Sequence, residues 1–169
     1  MATQTIDSKP VAAGRLAGKY LTFKLQAEAY GIDVLKVREI IRLTAITTVP
    51  QMPAHIRGVI NLRGKIIPVM DLRVRFDFVA GNTEHTCIVV VQVKLPDGKP
   101  AQMGLIVDGV EEVINLADGD IEATPNFGGQ VATEYITGIA KVKGVVKSLL
   151  NIDAVISGVT RPVPVEMFA

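Results

Sequence analysis

The chain of 169 residues carries 18 Lys and Arg against 17 Asp and Glu, a formal net charge of +1, with one cysteine and no tryptophan. A balance this close to neutral excludes a strong global field for nucleic acid or membrane surfaces, and one cysteine excludes a disulfide framework. No apolar run approaches the roughly 18–20 residues that cross a bilayer, so direct membrane insertion is not expected.

Val and Ile are the commonest apolar residues, and aromatics make up only 5%. Branched side chains suit pleated sheets better than helices. Residues 1–17 are small, polar and unperiodic. Val11–Gly18 lacks the apolar core of a signal peptide, which makes a disordered tail and a cytoplasmic chain the expectation. Lys19–Gln26 alternates as a strand, and Ala27–Gly31 holds a turn. Ile32–Leu43 continues as one long strand or two with a bend. Along it Leu35, Val37, Glu39 and Ile41 share one face, and Val34, Lys36, Arg38 and Ile40 the other. Pro50-Gln-Met-Pro53 breaks the pattern, and a helical turn is expected at Ala54–Arg57. Val59–Leu62 and Lys65–Met70 form a hairpin around Arg63-Gly64. Asp71 can cap a short helix through Arg75, and Asn82–Glu84 is a polar joint.

Thr86–Leu95 and Ala101–Val113 form the next hairpin around Pro96-Asp-Gly98. Its first strand is apolar on both sides, with Cys87, Val89 and Val91 on one and Ile88 and Val90 on the other, so both sides need cover. Cys87 reads as a small core hydrophobe. Residues 115–134 are a connector rich in Asp, Gly, Pro and Asn. Tyr135–Val142 and Val145–Leu150 make a last hairpin, followed by a short helix near Ile152–Ile156 and a tail at 158–169.

Two of these stretches match 80 residues apart: Gly58–Leu72 and Gly138–Ile152 align their glycines, Arg63 with Lys143 and Asp71 with Asn151. Upstream, Tyr30–Ile41 resembles Met103–Ile114. One structural unit is used twice. Units of this size are marginal alone. The expectation is one cooperative domain over 18–157, with lobes at about 19–81 and 82–150 sharing a third core.

Neither copy holds the parts of an active site. His55 and His85 flank loops, far apart in sequence, and one cysteine with two scattered histidines does not make a metal site. No Gly-rich phosphate loop is present. No enzyme, catalytic residue, metal or cofactor is expected. Arg57, Arg63, Lys65, Arg73 and Arg75 cluster with only Asp71 opposing. They read as a solvated face. The alternative is a double-barrel nucleic-acid-binding protein using the face Arg57–Arg75, although aromatics for base stacking are scarce.

The segments Tyr30–Ile40, Pro53–Gly64, Pro68–Arg73, Gly104–Val110 and Thr133–Gly138 resemble the CheW family of bacterial chemotaxis coupling proteins, in order, over roughly residues 18–157. The resemblance implies an all-β, CheW-like fold of two five-stranded SH3-like barrels packed together, with short helical turns. It implies a stand-alone adaptor, monomeric when isolated, that couples the cytoplasmic tip of a methyl-accepting chemoreceptor to the regulatory domain of the histidine kinase CheA.

The kinase contact then falls on Val37, Glu39 and Arg63. Ordinary barrel packing also explains Val37. Glu39 is a carboxylate on an otherwise apolar strand face, and needs water or a cation; Arg63 is expected to supply the cation. A second array interface maps to Phe127, which could equally cover an open barrel end. The receptor contact maps to an apolar groove between the lobes, near Ile88 and Gly58. Gly58 serves a close approach or a simple turn. No nucleic-acid partner is implied.

Overall fold

The computed structural model describes residues 17–79, 81–95, 97–123 and 135–157. In chain order these form β1 (Gly18–Leu25), β2 (Glu28–Asp33), a 3-10 turn (Val34–Lys36), β3 (Val37–Arg42), β4 (Ile56–Leu62), β5 (Lys65–Asp71) and α1 (Leu72–Arg75). There follow β6 (Cys87–Lys94), β7 (Pro100–Val107), β8 (Gly109–Leu116), a 3-10 turn (Asp118–Asp120), β9 (Ile121–Glu122), β10 (Ile136–Val142), β11 (Val145–Leu150) and α2 (Ile152–Ser157). The stretch Ile32–Leu43 is thus two strands. Asp33 caps the turn between them by accepting a 2.9 Å bond from the Leu35 amide. The turn carries Leu35 into solvent, 78% exposed, instead of onto the face of Val37. Ala101–Val113 is likewise broken, by Asp108 between β7 and β8.

The strands make two sheets, ordered β3-β6-β7-β5-β4 and β8-β1-β2-β11-β10-β9. The first is contiguous in sequence, from Val37 to Val107; the second takes β1 and β2 from before it and β8 to β11 from after it. Sheet membership therefore crosses the boundary expected between residues 81 and 82. The first barrel is inserted into the second, and each barrel is built from both copies of the repeat, because each Gly-marked hairpin lends an edge to a strand of the other copy. Those joints are the two parallel pairings, β5 with β7 at Val69↔Gly104 and β11 with β2 at Leu149↔Gly31. A Cβ on Gly104 would lie 2.8 Å from Ile88 Cγ2, and one on Gly31 would lie 3.0 Å from Leu149 Cδ2. At Gly31 the missing side chain lets the parallel partner β11 close up; at Gly104 it makes room for Ile88 of the antiparallel neighbour β6.

Both barrels close in the same way. Thr47, beyond β3, bridges Val59 of β4 with amide–carbonyl bonds of 2.9 Å in each direction. In the second barrel β9 pairs Glu122 with Ile139 of β10, the repeat position of Val59. The first closure rests on Gly58: at φ 143° its Cβ would sit 2.0 Å from the Thr47 carbonyl oxygen.

Three apolar cores result. Ile60, Ile67, Val69, Ile88, Val90 and Ile106 fill the first barrel, and Tyr20, Leu116, Ala140 and Leu149 the second. The largest lies between them. It gathers Leu21, Phe23 and Leu25 of β1, Val89, Val91 and Val93 of β6, Leu105 and Val107 of β7, Leu150 of β11, and Ile152, Val155 and Ile156 of α2. The third core expected from the small size of each unit is this seam.

One polar cluster sits beside it. Arg73 is buried and uses all five of its guanidinium donors. Nε and Nη2 meet the two Asp71 oxygens at 2.9 and 3.0 Å, Nη1 meets Asp108 Oδ1 at 2.9 Å and the Gly81 carbonyl at 3.0 Å, and Nη2 also meets Asn82 Oδ1 at 2.9 Å. Asp108 in turn accepts from the Gln26 amide through Oδ2, so one carboxylate ties α1 of the first barrel to the β1–β2 turn of the second. Burial alone pushes the Asp71 carboxyl up, but hydrogen bonds and charge from Arg73, with help from Arg57, hold it below the usual carboxylate range. The same bonds to Asp71 raise Arg73 further, against its burial.

Both the closure and the buried ion pair can be tested by substitution. Gly58→Ala forces the Thr47 segment off β4 and lowers urea-denaturation stability by about 2 kcal/mol or more, the scale of an alanine forced into a left-handed, overpacked site. Asp71→Asn leaves Asp108 as the one carboxylate on the buried Arg73 charge and costs about 3 kcal/mol, the low end for breaking a buried pair. Because folding depresses the Asp71 pKa, the unfolded chain binds the extra proton, and stability contributed above about pH 4 is lost as pH falls below it. Urea titrations at pH 7, 4 and 3 show that acid loss in the wild-type chain, and the Asp71→Asn variant lacks this component.

Candidate interaction surfaces

The turn joining β4 to β5 places Arg63 and Gly64 at φ 52° and 85°, a left-handed pair that folds a two-residue hairpin loop. The Gly64 amide bonds Asn61 Oδ1 at 2.8 Å and stiffens it. This geometry turns the Arg63 side chain toward β3, where Arg63 Nη2 donates to Glu39 Oε2. The pair lies at the surface, with Arg63 72% and Glu39 27% exposed. It borders a hollow of about 420 Å³ whose rim also includes Arg38, Leu62, Lys65 and Gln102. Glu39 thus has the intramolecular cation expected of it, and one end of the first barrel presents a charged pair beside apolar side chains.

Val37 is not part of that hollow. A bulge in the β3–β6 pairing falls between Val37 and Glu39, and Val37 packs, half-buried, on the core between the barrels. Two other expected contacts prove internal. Ile88 is fully buried inside the first barrel, and it is the Val89 and Val91 face of β6 that meets the second barrel. Period-two alternation separates the faces of a strand but does not say which barrel each one enters. Gly58 is buried too, and the close approach it allows is to the Thr47 backbone. Phe127 lies outside the described residues.

The basic cluster is a solvated face only in part: Arg57, Arg63 and Lys65 are exposed, Arg73 is buried, and four of the five cations meet a partner. Arg73 is enclosed by Asp71 and Asp108; Arg57 donates to Asp71 Oδ2 at 3.1 and 3.2 Å; Arg63 is held by Glu39; Arg75 donates to the Tyr135 hydroxyl at 2.6 Å. Sequence proximity places the cations together, but Glu39 arrives from β3 and Asp108 from the joint between β7 and β8.

A cleft of about 390 Å³ opens between α1's trailing segment and the second barrel, lined by Tyr30, Arg75, Phe76, Phe78, Tyr135 and Leu150 with Asp77 and Ile136 beside them. The chain has three tyrosines and five phenylalanines, and four of these eight meet here. Their scarcity was the one sequence signal for this site, since a cluster of rare residue types is informative. The Arg75 guanidinium stands 5.0 Å from the Tyr135 ring centroid, and the Phe76 and Tyr135 rings are tilted with centroids 6.3 Å apart. Near it His55 is buried, and its imidazole is held below the usual histidine value by burial and then by the Arg75 charge. No group of three or more His, Cys, Asp or Glu among the described residues is placed to hold a metal ion, and no described helix is long and apolar enough to cross a membrane.

Comparison with known proteins agrees with this architecture. The model of the CheW-like domain matches residues 19–159. The chemotaxis protein CheW of Klebsiella aerogenes is 38% identical over 146 residues, covering 86% of each chain. That of Rhizobium meliloti is 31% identical over 136 residues, covering 80% of this chain and 84% of the relative. The crystal structure of the scaffolding protein TtCheW from Thermoanaerobacter tengcongensis superposes with a TM-score of 0.72 at 35% identity, over 83% of this chain and 92% of that one. Nothing in the comparisons or in the paired arginines favours nucleic-acid binding. With its twin interlocked barrels and its match along nearly the whole domain, the chain belongs to the CheW family of chemotaxis scaffold proteins.

Proposed function

We propose that the chain is a non-catalytic cytoplasmic adaptor that couples chemoreceptor signalling tips to the regulatory domain of the histidine kinase CheA. The observation that carries the kinase contact is the Glu39–Arg63 pair, exposed at one end of the first barrel beside Leu62 and Lys65. Salt-bridged charges at a rim set partner choice and approach more than raw affinity. Val37 supports that end from the core side. Phe127 is retained as the second array contact on family resemblance. The receptor tip is assigned to the apolar groove between the barrels, by the helix-in-groove mode. Ile88 and Gly58 shape the first barrel from within and are not offered to the receptor.

The large seam between the barrels makes the adaptor stiff. A stiff body holding two partners converts a small displacement of one into a displacement of the other. Each contact is expected to be modest, below about 1,200 Å², with repetition in an array supplying avidity.

Glu39→Lys sets a cation beside Arg63 and should weaken kinase binding at least about tenfold, or 1.4 kcal/mol, while the melting temperature stays within a few degrees. A large loss of stability would instead mark the pair as structural. The adaptor reading is tested by calorimetric titration of the wild-type chain with the CheA regulatory domain and with a receptor tip fragment, with Val37→Asp as control. Saturable binding to both supports it, and binding to neither overturns it.

A further inference from the structure

Two short connections carry the chain between the barrels, the 3-10 turn Val34–Lys36 and the residue Asp108. Each is fastened by a carboxylate. At the second connection Asp108 itself accepts from Arg73 of the first barrel and from the Gln26 amide of the second. Arg73 is buried and enclosed by its other hydrogen bonds, so this fastening is shut away from water. At the first connection Lys36 Nζ donates to Asp153 Oδ2 at 2.6 Å, and Asp153 Oδ1 accepts from the Lys94 amide at 3.0 Å. Lys94 ends β6, and β3 pairs with β6 only as far as Val91. The Lys94 amide thus meets a side chain where the neighbouring strand has stopped. Asp153 belongs to α2, which follows the last strand of the second barrel and packs Ile152, Val155 and Ile156 into the seam. One carboxylate therefore holds the crossover turn, the end of a first-barrel strand and the helix behind the second barrel. Unlike Arg73, both members of this ion pair reach solvent, with Lys36 34% and Asp153 32% exposed.

We propose that Asp153 is a releasable latch that sets the angle between the barrels, while Asp108 is the fixed anchor about which they turn when it lets go. Burial of apolar surface holds the barrels together but is non-directional. Hydrogen bonds to a charged group are short and directional, so they resist rotation within the seam. An ion pair open to solvent contributes little to global stability, because water replaces it at small cost. The latch can therefore open without unfolding either barrel. Small sliding or hinge displacements of packed bodies are the motions such a device admits. The inference goes beyond the adaptor reading, since it concerns the free chain and holds whichever partners it meets.

The test uses the whole chain, isotope-labelled and weakly aligned, with residual dipolar couplings read at the amides of both barrels. In the wild-type chain one alignment tensor is expected to fit both. In Lys36→Met, and more strongly in Asp153→Ala, the couplings within each barrel should still fit that barrel's own structure, while the two barrels require different tensors. The Lys94 amide should exchange with solvent about tenfold faster in Asp153→Ala, with the amides of Val89 and Val91 unchanged. Lys36→Met leaves α2 intact and keeps the test decisive if Asp153→Ala fails to fold. A single tensor that fits both barrels in both variants overturns the proposal. Separate tensors in Asp153→Ala alone would trace the loosening to α2 and not to the fastened crossover, and would overturn the latch as well.

Discussion

The architecture depends on two short parallel pairings. A β-hairpin satisfies its inner hydrogen bonds and leaves two edges open. Here the open edge of each later hairpin is taken by a strand from the other copy, at Val69–Gly104 and at Leu149–Gly31. Parallel strands are joined by long connections and not by tight turns, so neither pairing could form between neighbours in sequence. Once both are made, neither copy of the repeat can complete a barrel alone. Strand exchange, as well as the shared apolar seam, ties the two barrels into one unit.

Much of this was legible in the amino-acid sequence. Alternation and turn residues located the hairpins, and the Arg63-Gly64 and Lys143-Gly144 loops share nearly the same left-handed angles, as their alignment implied. The carboxylate at Glu39 called for a cation, and Arg63 provides it. What stayed hidden is relational. A repeat shows which segments are alike, not which copy pairs with which, so by itself it suggests lobes that are successive halves. Alternation along β6 separated Ile88 from Val89 but could not assign the outer and inner barrel faces. A count of cations around Arg73 could not reveal Asp108, which lies 35 residues on and reaches it only through the fold.

The repeats are alike in backbone but not in content. Ile67 fills the first barrel, and at its repeat position the second barrel has Lys147, buried and paired with Glu111 at 3.1 Å. The polar character of Val145-Val-Lys-Ser-Leu149 thus has a partner on β8. An apolar interior position became an ion pair reaching the barrel surface, and a buried lysine is tolerated only when so matched. Similar frames with different fillings thus give the two barrels different polar character.

Insertion of one barrel within the other also decides where the domain can be spliced. Its first strand belongs to the second barrel, and its last helix lies in the seam, where Asp153 accepts from the Lys94 amide of β6, so a module joined upstream of β1 would hang from the second barrel and one downstream of α2 from the seam. The first barrel, with its Glu39–Arg63 end, has no free end of its own and enters and leaves through the 3-10 turn at Val34–Lys36 and the single residue Asp108. A frame of this kind can be fused into longer polypeptides on either flank without crowding the surface at the far barrel.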